Sequence, residues 1–98
     1  MPSPDSAAEL ARIFKVLSVD TRVSMVQMLQ ERPLCVNALA ARLDITHSAA
    51  SQHLRILREA GVVSAEKDGY WVHYSLNEET IATWADAIEG FLDPRAKR

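Results

Sequence analysis

Residues Leu43 to Gly61 constrain this chain more than any other stretch, because two independent stop signals bracket a single amphipathic segment. Thr46 can offer its hydroxyl oxygen to an orphan amide in the first turn of a helix, and Gly61 suits the left-handed residue that ends one. Between them there is room for roughly four helical turns. At ~100° per residue, with Ala50 as zero, Leu54 and Leu57 fall within about 40° of it and form a narrow apolar stripe. Ser48, Ser51, Gln52 and Arg55 occupy the arc from about 100° to 200°. One side packs and the other is free. An ordinary solvated helix carries several Glu and Lys on its free side, yet no acid occurs between Thr46 and Arg58. Arg55 and Arg58 contribute +2 there, within a chain of formal net charge −2. Short hydroxyls, an amide and a guanidinium can meet phosphate oxygens or base edges in a DNA major groove without steric bulk.

The segment ahead of it fits a short helix from Val36 or Asn37 to Leu43, with Leu39, Ala40 and Leu43 inward. Asp44 takes the turn, Ile45 plugs it, and Thr46 starts the next helix. That is a helix-turn-helix. Upstream, Ser6 or Asp5 can cap a first helix in which Leu10, Ile13, Phe14 and Leu17 recur at helical spacing. Asp20 is expected to cap a second helix over Thr21 to Glu31, with Val23, Met25, Val26, Met28 and Leu29 nearly all in the core. Pro33 ends that helix, since the residue before a proline is pushed out of helical geometry. Leu34-Cys35-Val36 is long enough only for a bridging strand.

After Gly61, the runs Val62–Glu66 and Tyr70–Leu76 are β-branched and aromatic, and Lys67-Asp68-Gly69 between them carries an Asp-Gly turn signal. A hairpin appended to a helix-turn-helix is a winged helix, and its tip brings Lys67 and Tyr70 within reach of an adjacent phosphate. A last helix from Asn77 to Leu92 sets Ile81, Trp84, Ile88, Phe91 and Leu92 on one broad face, with Glu78 and Glu79 at its electropositive end. Asp93-Pro94 stops it. The expected fold is therefore α+β and mostly helical, a winged helix-turn-helix with a two-stranded wing.

Composition narrows the class. At 98 residues, with 48% hydrophobic and 24% charged residues, the chain is expected to form one folded domain over 1–98, flexible at 1–5 and 94–98. No apolar run approaches the ~20 residues of a membrane span and no secretory leader is visible, which predicts a cytoplasmic protein with no membrane partner. The lone Cys35 excludes an internal disulfide. The three histidines lack paired zinc spacing, so no metal or other cofactor is expected. The mildly acidic balance argues against a protein that coats polyanions through bulk charge. No nucleophile, base and orienting group occur together, which argues against an enzyme.

Four stretches taken together, Leu17–Arg22, Leu34–Val36, Ser51–Val63 and Gly69–Leu76, resemble the ArsR/SmtB family of bacterial winged-helix repressors over about residues 8 to 92. The resemblance implies a homodimer joined by the first and last helices, a recognition helix at Thr46 to Ala60, a wing at Lys67 to Gly69, and release from operator DNA when an effector is sensed. Arsenic- and cadmium-type members carry Cys-Val-Cys at the start of the third helix, where this chain has Cys35-Val36-Asn37. The zinc-type site on the last helix needs histidine, which this helix lacks, and Phe91 and Pro94 stand where ligands are expected. Soft metals want two or more converging thiolates. Both family metal sites therefore look dismantled, and the effector is open.

The expected DNA-contacting set is Thr46, His47, Ser48, Ser51, Gln52, Arg55, Arg58, Lys67 and Tyr70. Gln52 and Ser51 are the first choices for base contacts, since an amide can meet adenine bidentately, and Arg55 for a phosphate. Leu10, Ile13, Phe14, Leu17, Ile81, Trp84, Ile88 and Phe91 are the expected dimer interface. His53 projects beside the apolar stripe and suits a hydrogen-bonded structural role, and Arg22 suits tying helix ends together. Cys35 is a core or cap residue, with a sensing thiol as the alternative and the effector candidate. The function predicted is a dimeric repressor on double-stranded operator DNA with an inverted repeat. The alternatives are a winged-helix protein-interaction module and a thiol-based redox-sensing repressor.

Overall fold

A computed structural model describes residues 6–93 and Arg95. The terminal stretches expected to be flexible, 1–5 and 94–98, lie outside the described residues except for Arg95. The chain runs α1 (Ala7–Val16), α2 (Asp20–Glu31), β1 (Leu34–Cys35), α3 (Val36–Leu43), α4 (His47–Glu59), β2 (Val63–Asp68), β3 (Trp71–Leu76) and α5 (Glu78–Leu92). Ser6 caps α1 by accepting from the Glu9 amide at 3.2 Å, and Asn77 caps α5 by accepting from Thr80 N–H at 3.4 Å. The expected cap at Asp20 is not one. Val19 holds the extended cap position without a side-chain bond, and Asp20 is already in the first turn, where its charge suits the helix dipole.

The core is one cluster that draws Leu10, Ile13 and Val16 from α1, Met25 and Leu29 from α2, Leu54 and Leu57 from α4, and Trp84 and Ala87 from α5. In α2 the inward line passes through Arg22, Met25 and Leu29, so Val23 faces solvent, and Val26 and Met28 are only half-buried. Val26 and Met28 still pack against the core, so the expectation of a nearly all-core set is corrected at Val23. An arginine occupies a buried position that apolar periodicity would have given to an aliphatic side chain.

The sheet has the order β1-β3-β2 and is antiparallel throughout. The wing is the β2–β3 hairpin, and β1 widens its base to three strands by pairing Leu34 with Tyr74 and Cys35 with His73. Its turn differs from the one expected at Lys67–Gly69. Asp68 pairs with Trp71, so Lys67 and Asp68 are strand residues and Gly69-Tyr70 forms the two-residue loop. Gly69 has φ +63°, whereas Tyr70 is not among the described residues with positive φ. A glycine at the first central position makes this a type II′ turn, with Asp68 of the expected Asp-Gly turn drawn into the strand.

Candidate nucleic-acid interface

The helix-turn-helix is α3, the turn Asp44-Ile45-Thr46, and α4. Both helix ends that flank recognition surfaces close the same way. Asp44 is left-handed at φ 54°, and the amides of Asp44 and Ile45 donate back to Ala41 and Ala40. At the end of α4, Gly61 has φ +82°, its amide donates to Arg58 O at 2.9 Å, and Val62 N–H donates to Leu57 O at 3.0 Å. This double closure satisfies carbonyls that would otherwise be orphaned and fixes the angle at which the chain leaves the helix. At its start, Thr46 accepts from Ala49 N–H at 3.0 Å. Position and direction of α4 are thus set at both ends. Asn77 N–H, donating to Val62 O at 2.8 Å, ties the start of α5 to the same corner.

Between those ends the two faces of α4 separate as their chemistry requires. Ala50, Leu54 and Leu57 are buried, while Thr46, His47, Ser48, Gln52, Arg55 and Arg58 are exposed and Ser51 is half-exposed. His47 Nδ1 lies 3.5 Å from Ser51 Oγ, one turn on. Arg55 Nε stands 3.7 Å from Glu59 Oε2, and both side chains are well exposed. Such a pair is weak in water, so the guanidinium is available to a phosphate.

The wing offers a mixed tip. Alternation along β2 sets Val63, Ala65 and Lys67 on the core-facing side of the sheet and Ser64, Glu66 and Asp68 on the other. The cation therefore lies on the side shared with the helices, and the acids point away. Tyr70 is fully exposed, followed by exposed Trp71 and Val72. Sequence reasoning missed Trp71, Val72 and one residue on α4. Ile56 is 39% exposed, one turn beyond Gln52. Its signal was legible, as an aliphatic residue about 120° off the apolar stripe on a helical wheel.

Cys35 is half-buried, at the cap position of α3 and without a side-chain cap bond. It stands opposite His73, which in turn stands opposite Glu66, so the three share one row across the outer face of the sheet. Even so, no group of three or more metal-ligating side chains converges among the described residues. Each chain carries a single thiol, Cys35.

The first and last helices pack on each other, and their expected interface residues divide into two groups. Leu10, Ile13 and Trp84 are inside the protomer's own core, at 5%, 0% and 6% exposure. Leu17, Ile81 and Ile88 are half-buried against that core. Phe14 and Phe91 are exposed and pack on each other, with ring centroids 5.6 Å apart and planes tilted by 57°. Leu92 is 70% exposed beside them.

Residues 20–65 match the family model described as bacterial regulatory protein, arsR family. A solved structure described as a possible transcriptional regulator for arsenical resistance superposes with a TM-score of 0.76 at 36% identity, over 87% of this chain and 88% of that one. The chain belongs to the ArsR/SmtB family. Among its ArsR/SmtB relatives, the arsenical resistance operon repressor of Escherichia coli is 41% identical over 79% of this chain and 66% of its own length. The arsenic resistance transcriptional regulator ArsR1 of Pseudomonas putida is 39% identical, over 83% and 64% respectively. This chain thus spans just under two thirds of those two ArsR/SmtB relatives. The ArsR/SmtB family and this fold are those of transcriptional regulators, not enzymes. None of the helices among the described residues is long and apolar enough to cross a membrane.

Proposed function

We propose that this protein is a dimeric, sequence-specific repressor that reads an inverted-repeat operator with α4 and steadies it with the wing. The observation that carries this reading is the exposed face of α4, which has no acid from Thr46 to Arg58 and is held by a cap at one end and a glycine closure at the other. The names of its relatives, a repressor and a transcriptional regulator, support the same reading. In it, Ser51 and Gln52 read base edges; Thr46, His47, Ser48, Arg55 and Arg58 contact backbone or neighbouring bases; and Lys67 and Tyr70 reach the flanking phosphates. Phe14, Leu17, Ile88, Phe91 and Leu92 make the seam between protomers, and two-fold symmetry sets the reading helices about 34 Å apart.

Titration against a selected duplex at several salt concentrations tests this directly. Gln52→Ala should cost on the order of 1–3 kcal/mol and relax base preference. Arg55→Ala should weaken all sequences together and lower the salt slope by about one. Binding of the selected site that neither substitution alters would remove α4 as the reader. The net charge of −2 and the exposed Tyr70-Trp71-Val72 tip favour a second reading, a winged helix that docks a protein. Loss of salt dependence separates it from the first.

The relatives named for arsenic suggest a metal effector, but this chain brings one thiol, Cys35, and the described residues form no metal cluster. Zinc, cadmium and arsenite at low micromolar concentration, an order-of-magnitude choice for specific sites, should therefore not release the protein from DNA. Cys35→Ser should still repress. Metal-triggered release that disappears in Cys35→Ser overturns this expectation, whereas peroxide-triggered release that disappears identifies a thiol switch, with the sulfenic acid adding polarity at the start of α3.

A further inference from the structure

Arg22 is the one buried charged or polar residue among those described, at 8% exposure. Its guanidinium joins three elements. Nε donates to Val16 O at 2.6 Å and Nη2 to Lys15 O at 3.3 Å, both carbonyls in the last turn of α1. Nη1 lies 3.4 Å from Nδ1 of His53, in the middle of α4. A cation at a helix C-terminus is favourable. Lys15 O already accepts from Ser18 N–H at 3.3 Å and Ser18 Oγ at 2.7 Å, so Arg22 adds a further donor there and bonds Val16 O most closely. No carboxylate of the described residues lies within ion-pair distance of Arg22. The charge is therefore met by the end of α1 and by one imidazole. Because arginine has donors only, Nδ1 must accept, which puts the proton of the neutral ring on Nε2.

The placement of His53 gives this link a function. It follows Gln52 directly and precedes Arg55 by two residues, so a bond to its ring acts on the rotation of α4 about its own axis. Recognition geometry tolerates only about 10–20° of such error. The other end of the link is α1, which carries Phe14 of the seam proposed above. We infer that Arg22 and His53 are positioning residues for DNA recognition, a strut that fixes the rotation of α4 against α1 and so sets the reading helix relative to the dimer. This inference rests on the DNA-reading function proposed above.

The test compares wild type, His53→Leu and His53→Asn as full chains. Asn can return an acceptor, its Oδ1, close to the place of Nδ1, whereas Leu cannot. Binding to a selected duplex by fluorescence anisotropy is read beside sedimentation and thermal unfolding. His53→Leu should remain a folded dimer yet lose about tenfold in affinity, the scale of one hydrogen bond to a charged group. His53→Asn should recover to within about threefold of wild type, because the acceptor is restored. Wild-type affinity in His53→Leu, or equal losses in both variants, overturns the inference. A wild type that retains no duplex at all overturns the DNA-reading function together with it. Should His53→Leu not fold, long-range ¹⁵N correlation of the wild-type ring still decides: a proton on Nε2 supports the strut, and a proton on Nδ1 overturns it.

Discussion

Trp84→Glu should unfold the protomer, whereas Phe91→Glu should leave it folded and only divide the dimer. Both residues lie on α5 and both are large aromatics, but Trp84 is 6% exposed within the core and Phe91 is 51% exposed. A carboxylate forced into the place of Trp84 loses its hydration without gaining a partner, and it also loses the burial of the largest side chain in the cluster. Together these cost on the order of 4 kcal/mol or more, against the ~5–15 kcal/mol that holds a typical small domain. At Phe91 the same charge stays in water and removes only the contact with Phe14 and whatever a second copy places there. Urea denaturation followed by circular dichroism, run beside sedimentation at tens of micromolar, an order-of-magnitude choice for weak dimers, separates the two. A cooperative wild-type transition in Trp84→Glu would refute the first expectation; a Phe91→Glu chain that still sediments as a dimer would move the seam elsewhere.

That contrast marks where sequence stopped being informative. Period and stop signals located the helices, because Thr46, Gly61 and Asn77 act through local hydrogen bonds that depend on a few neighbouring residues. Apolar periodicity could not say which of Leu10, Ile13, Phe14, Trp84 and Phe91 face inward and which outward, since α1 and α5 each have a broad apolar face and only packing divides it. The phase of α2 was hidden for a different reason. Arg22 occupies a core-facing position, and its three acceptors come from residues distant in the chain or in the preceding helix. The wing turn shifted by one residue because an Asp-Gly pair fits two registers, and cross-strand pairing of Asp68 with Trp71 selects one of them. The polar part of the exposed face of α4 was legible, since it is defined by what the buried stripe leaves over, whereas exposed Ile56 on the same helix was missed.

Leu57→Ala should cost about 2–5 kcal/mol, the range for removing a fully enclosed aliphatic side chain. Leu57 has 0% exposure and sits at the corner where α4 hands over to the wing. Its carbonyl accepts the Val62 amide at 3.0 Å, and Val62 is equally enclosed, so the hydrogen-bonded closure and the hydrophobic contact reinforce each other. A cavity there loosens both the end of α4 and the angle of the hairpin. Ile56→Ala, one position away but 39% exposed, should shift stability by no more than about 0.5 kcal/mol. Denaturation midpoints for the two variants give the comparison, and a Leu57→Ala loss no larger than that of Ile56→Ala would show that this corner can collapse around the missing atoms.

Among the described residues, the strand order β1-β3-β2 leaves the outer edge of β2 without a neighbouring strand. A bare strand edge is a template on which another chain can add, and here it leads to a tip with exposed Tyr70, Trp71 and Val72. Glu66, Lys67 and Asp68 stand in succession on that edge strand, so a second copy adding in parallel register would stack like charges against like. The same three residues that bring a cation to the wing thus also guard it against edge-to-edge aggregation, and a regulator made in quantity could not exchange them for β-branched residues without risking polymerisation.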